Sequence, residues 1–190
     1  MCSVVVDYLL NELNHSGVGY LYFGYKDRTQ QTPIQVCSII TKQLLEYLPE
    51  LPPDIERWYD EKKRESPDFE TLKGILFSIP RRFLGRSRQP FIICDALDEM
   101  DELNQRQKLL PILHSMADAG FKIFLTSRPH PADVRESFSR AMQIELMPHQ
   151  EDLRAHVQKQ LDVCSRFKKT RESLDLEYIV STIVASAEGM

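Results

Sequence analysis

Phe91-Ile92-Ile93-Cys94-Asp95-Ala96-Leu97-Asp98-Glu99 is the stretch from which the rest of the chain is read. Its continuous apolar run, opened by Pro90, suits a central parallel strand covered on both faces. Asp95 then places a carboxylate at the strand's C-terminal end, the edge where ligands collect in open α/β sheets. An Asp there can hold Mg²⁺, directly or through water, beside phosphate oxygens. The acidic pair Asp98-Glu99, one short step later, could polarise an attacking water. Between them, the small Ala96 would let the backbone pass close to a bound nucleotide. The same residues also suit a plain strand-to-helix turn, with Asp98 to Glu102 favouring the dipole of the next helix. An EF-hand is excluded, because no Gly stands at the turn position and a strand precedes the acids.

Toward the C-terminus, a helix is expected over Glu102 to Asp118, stopped by Gly120. Lys122-Ile123-Phe124-Leu125 makes another strand, and it ends in Thr126-Ser127-Arg128-Pro129. A hydroxyl and an arginine at a strand end can report on a γ-phosphate, since Arg offers forked donors to phosphate oxygens. The plainer alternative is a polar turn fixed by Pro129. Spacing favours a site: two consecutive β-α units each carry ligand-competent residues at their strand ends. Asp95 and Arg128 are therefore expected on adjacent parallel strands, both at the C-terminal edge. A short helix near Asp133 to Phe138 leads to an expected edge strand, Met142 to Leu146. Helices follow over Gln150 to Phe167 and Leu174 to Ala187.

Toward the N-terminus, Cys2 to Asn14 carries Val5, Leu9 and Leu13 on one helical face, and Gly17 breaks it. Gly19 to Gly24 reads as an aromatic-rich strand. Thr32-Pro33 opens a helix with a capping-box spacing to Gln35 and a buried stripe of Val36, Ile40, Leu44 and Leu48. A polar helix follows over Ile55 to Arg64. Ser66-Pro67 starts another, with Phe69, Leu72, Leu76 and Ile79 inward and a kink or early end at Pro80. The alternation of helix and strand is that of an α/β fold with a mostly parallel sheet, followed by a C-terminal helical segment. The expected division is 1–147 for the sheet layer and 148–190 for the helical part.

Composition narrows the function classes. A net charge of −4 argues against a nucleic-acid surface as the main business of the chain. Cys2, Cys37, Cys94 and Cys164 form no CxxC pair, so a disulfide framework and a zinc knuckle are both disfavoured. Cys94, inside a strand, reads as an inert core residue. No apolar run is long enough to cross a bilayer, and Cys2 to Leu10 has no basic leader. A cytoplasmic location is the expectation.

Asp95-Ala96-Leu97-Asp98-Glu99 resembles the extended Walker B of NACHT proteins, within the STAND class of P-loop NTPases. Thr126-Ser127-Arg128-Pro129 resembles their sensor-1 strand end. With the phrases around Tyr22-Phe23, Gln35 to Leu44 and Glu151-Asp152-Leu153, the chain looks most like nephrocystin-like NACHT domains of filamentous fungi. The resemblance implies a P-loop NTPase three-layer sandwich, with Asp95 on Mg²⁺, Asp98 and Glu99 on the attacking water, and Thr126, Ser127 and Arg128 on the nucleotide. It implies a signalling switch driven by ATP or GTP that self-associates through its NACHT domain. Such proteins often carry ankyrin, WD40 or TPR arrays and act in fungal non-self recognition. No nucleic acid or membrane partner is implied.

The family's phosphate loop, GxxxxGK[ST], would precede the helix at Cys2, and no such phrase occurs in these residues. The Glu188-Gly189-Met190 stretch resembles a point where family members continue. The expectation is an incomplete domain, retaining Walker B and sensor-1, inactive alone and binding no nucleotide tightly. The alternative is a non-catalytic interaction fragment, its acidic strand end a relic. A gap is expected between Lys122–Leu125 and Met142–Leu146, leaving a marginally stable chain that associates at the open edge.

Overall fold

The computed structural model of the chain describes residues 2–12, 17–27, 31–62, 67–84, 89–130, 132–146, 149–163 and 176–187. Two compact units are present, Met1–Arg140 and Ala141–Met190.

In the first unit, β1 (Val18–Tyr22), β2 (Phe91–Asp95) and β3 (Lys122–Leu125) form a parallel sheet in the order β1-β2-β3. The apolar stretch thus occupies the centre, as its composition requires. Tyr22 lies opposite Asp95, and Cys94 opposite Leu125, so the three strands end nearly level. Side chains alternate between the two faces. Ile92 and Cys94 join a large core with α2 (Pro33–Leu45), α4 (Phe69–Leu84) and α5 (Gln107–Asp118). Ile93 faces the other way, into a smaller core with Val18 and with Cys2, Val6 and Leu9 of α1 (Cys2–Glu12). Helices therefore cover both faces, and the α/β architecture expected from the alternation is present.

Local chemistry explains most boundaries. Thr32 caps α2, its hydroxyl accepting the Gln35 N–H while the Gln35 side chain accepts the Thr32 N–H, the reciprocal capping box expected of that spacing. A second polar helix, α3 (Pro53–Lys62), precedes α4. Gly17 donates no side chain because none fits: a Cβ there would lie 2.6 Å from the Phe83 ring. Gly120, at φ 107°, closes α5, with the Phe121 N–H on the Met116 carbonyl at 3.1 Å.

Three expectations are corrected. Pro80 does not end its helix, and α4 runs on to Leu84. Ile79 and Phe83, both buried in the large core, hold the helix together across a residue that costs about 3 kcal/mol in a helix interior. The helix expected from Glu102 begins instead as a π-helical turn, Glu102–Arg106, before α5 proper. Met142 to Leu146 is not a strand: Met142 is 91% and Ile144 73% exposed, without a ladder partner. Its apolar alternation pairs with no strand among the described residues, and an isolated strand gains nothing.

The chain continues through α6 (Ala132–Ser137) and, in the second unit, α7 (Gln150–Val163) and α8 (Leu176–Ala187). These last two pack on each other, with an Arg154–Glu177 ion pair between them. The expected ends at 13–14, 63–64, 164–167 and 174–175 lie outside the described residues. Among the described residues, no helix is long and apolar enough to cross a membrane.

Candidate functional site

The strand ends after β2 and β3 are stitched together by one residue. Beyond the formal ladder, the Thr126 N–H donates to the Cys94 carbonyl at 2.9 Å, and the Leu97 N–H to the Thr126 carbonyl at 2.9 Å. The Thr126 hydroxyl completes the join. It accepts the Ala96 N–H at 2.9 Å and donates to Asp95 Oδ1 at 2.5 Å, a short charge-assisted bond. Asp95 is thereby held by one oxygen at the C-terminal edge.

Ala96 turns the chain there with φ 56° and ψ 48°, in the left-handed region. An alanine in that region is strained by roughly 1–2 kcal/mol. The strain reverses the backbone at once, so that Leu97–Glu99 forms a single 3₁₀ turn folded back over the strand ends. Leu97 is fully buried beneath it and anchors the turn in the large core.

The turn presents its two acids toward Arg128. The Arg128 backbone N–H donates to Asp98 Oδ1 at 3.1 Å, and its guanidinium lies 3.4 Å from Asp98 Oδ2 and 3.7 Å from Glu99 Oε1. Glu99 Oε2 accepts the Tyr25 N–H at 2.8 Å, which brings the segment after β1 to the same edge. Asp98 is nearly enclosed, at 9% side-chain exposure, whereas the Arg128 side chain is 76% exposed. The guanidinium contacts, at 3.4 and 3.7 Å, are long and come from an exposed side chain, so the guanidinium can turn to a better anion while the Arg128 N–H still holds the enclosed Asp98.

The structure thus brings Asp95, Asp98, Glu99, Thr126 and Arg128 to one edge. Ser127 is not drawn in: it is exposed, and its hydroxyl donates to the Arg128 carbonyl at 3.0 Å. His130 is exposed, in keeping with a solvated turn. Cys94, fully buried, has its thiol pushed up to about 12 by desolvation, which leaves it an inert core group.

Sequence reasoning passed over several contributors. The start of α1 reaches the same edge, where the Cys2 thiol lies 3.8 Å from Thr126 Oγ1. Burial raises that thiol to about 11, so it stays protonated and can donate. Arg106 was also overlooked. Its place in the sequence carried a signal, since Arg106, Leu109, Leu110 and Leu113 share the spacing of one buried helical stripe.

Among the described residues, this edge brings together the Asp95, Asp98 and Glu99 carboxylates and the exposed Arg128 guanidinium, which pairs with the last two. Such an excess repels a bare polyanion and attracts a cation, or an anion that arrives with one. In comparisons with known proteins, residues 1–128 match the family described as nephrocystin 3, N-terminal. No curated protein and no solved structure matches the chain.

Proposed function

The chain belongs to the nephrocystin 3, N-terminal family, and on that premise we propose that it carries the cation-binding and sensing half of a nucleoside-triphosphate site, in a signalling switch of the NACHT and STAND type. The observation that carries this reading is the level ending of β2 and β3, which sets Asp95 beside Thr126 and puts Arg128 against Asp98 and Glu99. In this reading Asp95 is the Mg²⁺ residue, Asp98 and Glu99 position water, and Arg128 senses the terminal phosphate of ATP or GTP. Thr126 orients Asp95.

The donor set fits an ion that arrives with its phosphates. Mg²⁺ takes one or two carboxylates and completes its shell with water and phosphate oxygens. Among the described residues, no group of three or more His, Cys, Asp or Glu side chains could hold an ion unaided. When bound, the ion would supply positive charge to the phosphate oxygens. The exposed Arg128 guanidinium would turn from Asp98 and Glu99 to those oxygens, leaving the two acids to position water.

The parent protein is proposed to act in the cytoplasm, with NACHT domains associating in the nucleotide-bound state. The sequence holds no GxxxxGK[ST] phrase, and each charge-assisted phosphate contact is worth about 1.5–3 kcal/mol. Nucleotide should therefore bind this chain at millimolar affinity or weaker, only with Mg²⁺, and not at all after Asp95→Ala. Titration with Mg²⁺–ATP and Mg²⁺–GTP reads this out. Micromolar affinity, or binding indifferent to Mg²⁺ and to Asp95→Ala, would contradict the assignment.

A second reading is favoured by one observation. Among the described residues β3 pairs only with β2, and an uncovered strand edge is a template for another chain. A non-catalytic interaction fragment would elute as an oligomer in size-exclusion chromatography and show no nucleotide response.

A further inference from the structure

Among the described residues, Arg106 is the one charged side chain that is buried, at 2% exposure. Its guanidinium is a junction. Nε and Nη2 form a fork with the Asp133 carboxylate of α6, at 2.8 and 3.1 Å. Nη1 points the other way and donates to two backbone carbonyls of the acidic turn, Asp98 at 3.2 Å and Met100 at 3.0 Å. One side chain therefore ties the turn after β2 to the helix that follows Arg128.

We propose that Arg106 is a positioning residue: anchored by Asp133, it fixes the 98–100 turn from beneath so that the Asp98 and Glu99 carboxylates face Arg128 and the strand ends. This rests on the functional reading above and names the device that holds its acids in place. The physical case lies in what the guanidinium satisfies. A buried ion pair is a poor source of stability, and apolar residues of similar volume often replace one without loss. The two carbonyls are different. They terminate a 3₁₀ turn entered through a strained residue, and Arg106 is the donor that closes that turn from the core side. A lysine could keep the charge opposite Asp133 but lacks the fork needed to serve the carboxylate and both carbonyls together. The π-helical turn Glu102–Arg106 fits this role, since the Arg106 N–H reaches back to the Asp101 carbonyl at 2.8 Å and sets the side chain inward at the head of α5.

Local amide hydrogen exchange in the 190-residue chain is the test, with Arg106→Met/Asp133→Leu as one variant and Arg106→Lys as a milder second. The reporters are the N–H groups of Tyr25 and Arg128, which bond to the Glu99 and Asp98 carboxylates. The expected result is exchange at both faster by tenfold or more, with the β2 amides of Ile92 to Cys94 unchanged. Arg106→Lys should give a smaller acceleration at the same two amides. Unchanged reporters in either folded variant would overturn the proposal, as would a uniform acceleration that includes β2, since that would mark a purely structural residue. Because this readout needs no nucleotide, a wild-type chain that ignores Mg²⁺–ATP would count against the functional reading alone.

Discussion

At the residue scale, the candidate site depends on an alanine in an unfavourable conformation. Ala96 holds φ 56° so that the chain can reverse directly after Asp95. Glycine would adopt that conformation freely, while a β-branched residue would be a severe outlier. Ala96→Gly should therefore leave stability unchanged or raise it by up to about 1 kcal/mol, the relief of strain being partly offset by the freer unfolded chain. Ala96→Val should lower it by roughly 2 kcal/mol or more. Chemical denaturation of the three proteins checks both. A valine variant as stable as wild type would show that the turn is not strained. Thr126 also works at this scale, and its importance was hard to foresee. A hydroxyl and an arginine at a strand end were legible as candidate ligand groups. That the same hydroxyl bridges Asp95 and the Ala96 N–H follows only from the register of β2 on β3.

At the scale of elements, the sheet treats its two edges differently. On the β1 side, the Gln43 side chain of α2 stands in for a neighbouring strand. Its Oε1 accepts the Tyr20 N–H at 2.7 Å, and its Nε2 donates to the Tyr20 carbonyl at 3.2 Å. Gln43→Leu should leave both groups unpaired in a half-buried position, costing about 1–3 kcal/mol, visible as a lower thermal midpoint. An unchanged midpoint would mean that water replaces the amide fully. What could be read from the sequence at this scale was whatever local chemistry dictates: the buried strand of β2, the capping box of α2 and the stop at Gly120. What could not be read was decided by tertiary contacts. Pro80 passes as a helix interior because Ile79 and Phe83 are buried on either side of it. Met142 to Leu146 has the alternation of a strand, but alternation alone does not say whether the segment pairs, and it has no ladder partner among the described residues. Spacing places Arg106 on the buried stripe of α5, but its partners lie on another helix and in the turn behind it and follow only from the tertiary structure.

For the whole molecule, the fold sets where the candidate residues stand. Parallel strands under helices on both faces deliver Asp95, Asp98, Glu99, Thr126 and Arg128 to a single edge, and α1 begins at that edge too. The central claim is that this edge receives a cation together with phosphate. The most direct measurement is the loss of amide signals from the isotope-labelled chain as Mn²⁺–ATP is added, since the paramagnetic ion broadens only what lies near it. The account predicts that amides of residues 95–99, 126–128 and the first turn of α1 fade first, and that Asp95→Ala abolishes the pattern. Broadening centred on α7 and α8, or spread evenly over the chain and indifferent to Asp95→Ala, would contradict it.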